Sequence, residues 1–395
     1  MSNNVIYIAA AGSGKTTLII DKVKDELRYG VPDNKKIAII TYTYNNQDNI
    51  KRRLISKNGS LPTQVKVMGW YSFLLDYLIR PFKGEVLTEL YDHHIGLCFV
   101  EGVSGTFHLS KGRTIKSYKK GDLWGKFFCS NKRDIYSDKL SEFAMMYINK
   151  EGALLIDRLS RIFDTIFLDE SQDLACWDFE IIKELIISQK INVVLCGDPR
   201  QNTLSTSLDR KYKLYNGQPD KYAEDKINKK RQNYVTIDNT SLSKSHRCVE
   251  EICALASSLF PDFPPLHSCE CARCKQNRDN YQHIKGMFLL KESDVLSFVK
   301  EYSPISLIWD KKSIGKVKTD SYYNYSQSKG LEFDSVIVYP TKVVENYLID
   351  GAGLNDLPKR KLYVAITRAR YTCCIVISKD FDKSHCGLPF WKNRK

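Results

Sequence analysis

Residues 5–20 read VIYIAAAGSGKTTLII, and the reading of this stretch decides the fold. An apolar run of strand character ends near Ala9, a loop of small residues carries Gly12, Ser13 and Gly14, and Lys15-Thr16 open a stretch that reads as a helix to about Gly30. In that context small side chains let backbone N–H groups close on phosphate oxygens, and the helix N-terminus adds favourable partial charge. Ala11, Gly12, Ser13, Gly14, Lys15, Thr16 and Thr17 are therefore the expected phosphate contacts, although Ala9 stands where the general pattern has its first glycine.

Outward from this stretch, similar apolar runs recur: KKIAIITYT (35–43), TIFLDE (165–170), INVVLCGD (191–198), SVIVYP (335–340) and TCCIVIS (372–378). Each lacks alternation and reads as a strand buried on both faces of a parallel sheet. Helical patterns lie between them, as in LACWDFEIIKELIIS (174–188), where Phe179, Ile182, Leu185 and Ile186 share one face. The class is α/β, in two sheets. Residues 76–160 break the rhythm, being helical and loop-like and rich in Lys, Tyr and Gly, and read as an insertion; the basic, Tyr-rich stretch 205–235 reads as a connector.

Sixty Lys and Arg against forty-six Asp and Glu give a formal charge of +14. That excess suits a polyanion such as nucleic acid, an anionic membrane surface, or solubility alone. No apolar run reaches membrane-spanning length and the first residues lead into a strand, so a cytoplasmic protein is expected. The twelve cysteines lie largely in apolar stretches and read as reduced, buried thiols.

The run TIFLDESQDL (165–174) empties into Asp169, Glu170 and Asp173. Clustered carboxylates repel, so a cation should meet them. With a triphosphate on the loop, Asp169 can hold Mg²⁺ together with Thr16, Lys15 can offset the remaining charge, and Glu170 can polarise an attacking water. Asp173 reads equally well as an acidic helix N-cap.

Asp169-Glu170-Ser171-Gln172-Asp173 resembles the DExQD box of the UvrD/Rep-like superfamily 1 DNA helicases, and further motifs follow in that family's order. ITYTYNNQDNIKRRL (40–54) resembles motif Ia, GWYSFLLDYL (69–78) stands at the aromatic-rich segment, and GDPRQ (197–201) resembles motif III. LSKSHRC (242–248), SKGLEF (328–333) and LYVAITRAR (362–370) resemble motifs IV, V and VI. The resemblance implies two RecA-like domains, 1A over 1–75 and 161–240 and 2A over 241–395, with 76–160 as a small 1B insertion. It implies ATP and Mg²⁺ between the domains, and single-stranded DNA as the track. Gln201 would sense the γ-phosphate, Arg247 and Arg368 would act as arginine fingers, Gly330 and Glu332 would face the nucleotide with Glu332 at the ribose, and His246 would stack on adenine. Thr41, Tyr42, Trp70, Ser326 and Lys329 would meet DNA.

Departures from the family pattern narrow these expectations. Only four residues precede the first strand, so the segment carrying the family's adenine-reading glutamine is not seen. Asn202-Thr203-Leu204-Ser205-Thr206 replaces a segment with two base-stacking aromatics, each worth ~1–3 kcal/mol per base. Ser326 stands in place of a histidine, and the short interval between Arg247 and Lys329 leaves no room for a 2B subdomain. PPLHSCECARCKQNRD (264–279) offers His267, Cys269, Cys271 and Cys274 as a Zn²⁺ set within a loop over 267–274, with free thiols as the other reading.

Two functions fit: an ATP-driven translocase or helicase of 3′ to 5′ polarity, and a DNA-triggered ATPase switch reporting to a partner such as a nuclease, with little unwinding. Small UvrD-like proteins of this build resemble components that accompany nucleases in anti-phage systems such as Gabija, and DNA repair is the related alternative.

Overall fold

The computed structural model describes residues 3–100, 102–108, 114–131, 133–203, 211–229, 232–378 and 384–393. Part of the basic stretch at 110–113, most of the expected motif III departure (204–206) and residues 205–210, 230 and 231 of the expected connector lie outside the described residues. The chain divides into two compact units. The first comprises Met1–Ile8, Lys15–Gly197 and Leu204–Asp238, and the second Ala9–Gly14, Asp198–Thr203 and Asn239–Lys395.

In the first unit six strands form one parallel sheet: β1 (Val5–Ile8), β2 (Lys36–Thr41), β3 (Val65–Gly69), β4 (Phe163–Asp169), β5 (Asn192–Gly197) and β6 (Thr236–Asp238), in the order β6-β1-β5-β4-β2-β3. Ile37 to Ile40 are all buried, because consecutive residues point to opposite faces and both faces are covered. In a parallel sheet all carboxyl ends share one edge, where ligands of α/β folds bind; here that edge carries Ile8, Asp169 and Gly197.

Helix α1 (Lys15–Tyr29) follows β1 and the phosphate-loop sequence. Helix α2 (Tyr44–Asn58) is capped at both ends, Thr43 accepting from the Asn46 amide at 3.2 Å and Gly59 closing in left-handed geometry at φ 80°. Residues 76–160, expected as a separate insertion, share the core of this unit. Helix α3 (Leu140–Ile162) buries Phe143, Tyr147, Leu155 and Leu159 in the cluster that also holds Ile40, Leu168 and Trp70. The segment also forms two short strand pairs, Gly96–Cys98 with Asp134–Tyr136 and Thr106–His108 with Thr114–Lys116. Helix α4 (Trp177–Ser188) buries Phe179, Ile182, Leu185 and Ile186, the face read from the sequence.

The second unit holds a five-stranded parallel sheet of β7 (Gly286–Lys291), β8 (Ile305–Ile308), β9 (Tyr322–Asn324), β10 (Phe333–Tyr339) and β11 (Ala369–Ile377), ordered β7-β11-β10-β8-β9. Both units are thus RecA-like parallel sheets. Helix α5 (Glu250–Ser258), helix α6 (Ala272–Asn280) and helix α7 (Asp356–Ile366) belong to the second unit. A short parallel pair, Lys244–Ser245 with His267–Ser268, lies apart from its main sheet.

Candidate functional site

In the first unit the acidic residues sit at the tip of β4. Asp169 is 2% exposed and Glu170 8% exposed, and Glu170 takes a left-handed conformation at φ 61°, ψ 41°. The Thr16 hydroxyl donates to Asp169 Oδ2 at 3.3 Å, and the Glu170 amide donates to Asp169 Oδ1 at 3.0 Å. The Gln172 side-chain amide donates to Glu170. Burial, and then the neighbouring Glu170, push Asp169 up to about 7 against the opposing pull of Lys15. Two adjacent buried carboxylates with a hydroxyl beside them are hard oxygen donors, and their excess negative charge suits a divalent cation such as Mg²⁺. Gly197, at the end of β5, is required here: a Cβ would lie 2.5 Å from Ser171 Oγ and 2.9 Å from the Gln172 amide nitrogen.

Residues 9–14 of the phosphate-loop sequence pack within the second unit. The Ala10 amide donates to Leu242 O at 2.8 Å, the Ala11 amide to the Tyr363 hydroxyl at 3.2 Å, and the His246 amide to Gly12 O at 2.9 Å. Gly12 sits at φ 71°, and a Cβ there would come within 2.6 Å of Arg247 Cβ, so only glycine permits this approach. Asp198, fully buried, is the hub of the same unit. It accepts from Arg200 Nε at 2.8 Å, Gln201 Nε2 at 2.9 Å and the Tyr363 hydroxyl at 3.0 Å, while Arg200 also donates to Ala9 O at 3.0 Å.

Arg368 is buried and donates to Gln201 Oε1 at 3.2 Å, to Val364 O at 3.0 Å and to Leu331 O at 3.2 Å. Arg247 donates to Thr367 O at 3.1 Å and pairs with Glu332 at 3.0 Å. Thr367 therefore touches both arginines, since Arg368 also reaches its hydroxyl at 3.3 Å. Gln201, Arg247 and Arg368, expected to act together, are joined within one unit through these bonds.

Residues 1–134 match the family profile described as the UvrD/REP helicase N-terminal domain. The chain carries a UvrD-like helicase N-terminal domain. Among curated relatives, the larger-numbered match is to one polypeptide of the ATP-dependent helicase/nuclease of Streptococcus agalactiae, 23% identical over 237 residues, 55% of this chain and 19% of that protein. The Gabija protein GajB of Bacillus cereus is 24% identical over 204 residues, 50% of this chain and 37% of that protein. The matched part of the chain thus spans about a fifth of the first relative and little more than a third of the second. A solved structure titled as a complex of Arterivirus nonstructural protein 10 (helicase) with DNA aligns at a TM-score of 0.41 and 13% identity, covering 96% of this chain and 61% of that one. That likeness is too distant to carry an argument.

For this UvrD-like chain several sequence expectations need correction. Trp70 is 1% exposed and its indole donates to Asp178 at 2.8 Å, so it is a core residue with no face for a base. Thr41 is equally buried and accepts from Asn46 at 3.4 Å. Glu332, expected at the ribose, is held between Arg247 and Arg370; burial alone would raise it, but the two guanidinium groups outweigh burial and hold it near 2. His246, expected on adenine, instead lies with Cys274, its Nδ1 3.5 Å from the sulfur. His267 leaves the expected cysteine set and bonds Glu250 at 2.8 Å.

Tyr42 is half-buried, Ser326 is partly exposed with its amide donating to Asn324 at 3.0 Å, and Lys329 is buried with Gly330 after it at φ 86°. Ser13 is buried with its hydroxyl on Ala10 O at 2.8 Å, whereas Thr17 is exposed and accepts from Arg53 at 3.3 Å. Sequence reasoning missed Asp198, Arg200 and Tyr363. The signal was in GDPRQ and LYVAITRAR, where an acid two residues from a cation and a tyrosine within an apolar run were read only as motif context.

Proposed function

We propose that this chain hydrolyses ATP and uses the reaction to move on single-stranded DNA, residues of both units acting on one nucleotide. The observation that carries the reading is the buried, under-neutralised Asp169–Glu170 pair beside Thr16 and Lys15. Structural ion pairs bring their own counter-charge; this pair calls for a cation from outside, as nucleotide-bound Mg²⁺ would be. Thr16 and Asp169 would hold the metal, which when bound offsets phosphate charge. Lys15 would sit against the phosphates, and Glu170 would accept the proton of the attacking water.

Arg368, Arg247 and Gln201 would meet charge developing on the transferred phosphoryl group, exchanging their present partners for it. Such an exchange gives hydrolysis a mechanical output, because the bonds surrendered are those that tie Thr367, Glu332 and Asp198 together. For the track, Tyr44 at the start of α2 is 81% exposed and offers a stacking face, with exposed Arg52 and Arg53 on the same helix. No helix among the described residues is long and apolar enough to cross a membrane; we assign the activity to the cytoplasm and the polarity to 3′ to 5′.

The burial of Trp70 favours a second reading, in which DNA triggers ATP turnover and the closed state signals to a nuclease partner with little unwinding. The names of the two relatives, one a helicase/nuclease and the other a Gabija protein, fit such a partnership. ATP turnover with and without single-stranded DNA, measured beside strand separation of a tailed duplex, tests both. Stimulation with separation supports the motor, and stimulation without it supports the switch. A turnover indifferent to every nucleic acid rejects both.

A further inference from the structure

His246, Cys269, Cys271 and Cys274 bring one ligand atom each to within 4.8 Å of all the others. The parallel pairing of Lys244 with His267 and Ser245 with Ser268 continues one step further, where the Cys269 amide donates to Ser245 O at 2.7 Å and His246 comes alongside Cys269. Cys271 ends the loop as the residue before α6, and Cys274 lies in the first turn of that helix. All three thiols are free, and Cys269 and Cys274 are buried.

We propose that these four side chains form a zinc site that fastens the segment bearing Arg247 to α6. Three thiolates and one imidazole suit tetrahedral Zn²⁺, with S···S edges of about 3.8 Å once the ion is bound. The 3.5 Å between Cys274 Sγ and His246 Nδ1 already matches such an edge. The longest separation must contract by about 1 Å, within the reach of χ1 rotations. The thiols enter as thiolates, releasing their protons to solvent as the metal binds.

A second observation points the same way. Helix α6, ARCKQNRDN, buries no side chain but Cys274, so it has no apolar face to hold it. Apart from Arg278 donating to Cys269 O at 2.8 Å and pairing with Glu270, its attachment lies in the cluster. Small elements with too little apolar surface are characteristically held by metals or disulfides. His246 immediately precedes Arg247, so the site would fix the backbone from which that arginine extends.

The protein purified under reducing conditions, without chelator or added metal, should carry one zinc per chain, read by mass spectrometry of the digested sample. Cobalt reconstitution of the apoprotein should give the thiolate charge-transfer and tetrahedral d–d bands of an S₃N donor set. Cys271→Ser and His246→Ala should lose the metal, His246→Cys should retain it, and His267→Ala should leave stoichiometry unchanged. Chelation should raise amide exchange across Ala272–Asn280. The native-protein metal content and the cobalt spectrum remain decisive if a serine variant fails to fold. Metal-free protein that takes up neither zinc nor cobalt, iron as the native metal, a disulfide among the three cysteines, or zinc lost from His267→Ala but kept by His246→Ala would each overturn the site. None of these readouts depends on ATP turnover, so the zinc site and the proposed function fail independently.

Discussion

The tip of β4 in the first unit and the Asp198 hub in the second treat buried charge in opposite ways. At β4, two adjacent carboxylates are buried with only partial compensation, and Asp169 is pushed up to about 7. At the hub, Asp198 is fully buried yet satisfied by Arg200, Gln201 and Tyr363. The first arrangement is costly until a cation arrives, which makes it a binding device. The second is complete in itself, which makes it a framework that holds the motif III and motif VI residues in place. A buried charge therefore signals ligand binding only where its own fold leaves it short of counter-charge.

The largest effect that would break this comparison is kinetic. Glu170→Gln should lower ATP turnover by about 10³-fold while nucleotide binding persists, as expected on removal of a general base. In Mg²⁺-free buffer the same variant should melt no earlier than the parent, because it relieves repulsion with Asp169. Steady-state turnover, nucleotide titration and calorimetry check the three parts, and a lower melting temperature would mean that Glu170 is structural.

The same acid-to-amide change at the hub should have the opposite sign for stability. Asp198→Asn leaves the buried Arg200 guanidinium without its counter-charge, at a cost of about 3–5 kcal/mol and a fall in melting temperature of roughly 10 °C. Adding Arg200→Met should recover part of the loss, which a double-mutant cycle reads directly. Equal penalties in the single and double variants would mean that the pair is not coupled.

Glu26 on α1 provides the smallest and most local test. Burial, with Asp164 adding to it, raises this carboxyl from its ordinary 4.5 to about 7. The folded state thus holds the proton more tightly than the unfolded chain, and stability is lost as pH climbs from about 4.5 through 7. Glu26→Gln should stabilise the protein by roughly 1 kcal/mol at pH 7, with the gain vanishing toward pH 4.5. Denaturant titrations at both pH values measure it.

Much of the architecture was legible because β1, β2, β4, β5, β10 and β11 are buried on both faces and so appear as unbroken apolar runs. The strands missed were those without that signature: β7 begins at Gly286, β6 and β9 lie at sheet edges, and β8 is only four residues long. At the candidate site, Lys15, Thr16, Asp169 and Glu170 were legible because their chemistry follows one strand end and one loop. His246 was not, because a parallel pairing with a distant segment decides that it lies beside Cys269. Trp70 misled for a related reason: an aromatic in a motif reads as a stacking surface until the tertiary partner of its N–H, Asp178, is known.

The left-handed peptide at Glu170 carries a cost of its own. A side chain with a Cβ held at φ 61° gives up about 1–2 kcal/mol relative to the right-handed region, and glycine would not. The surrounding packing must keep this kink cocked, so a small reserve of tension is lodged in one link of the chain, next to where phosphate would be cleaved.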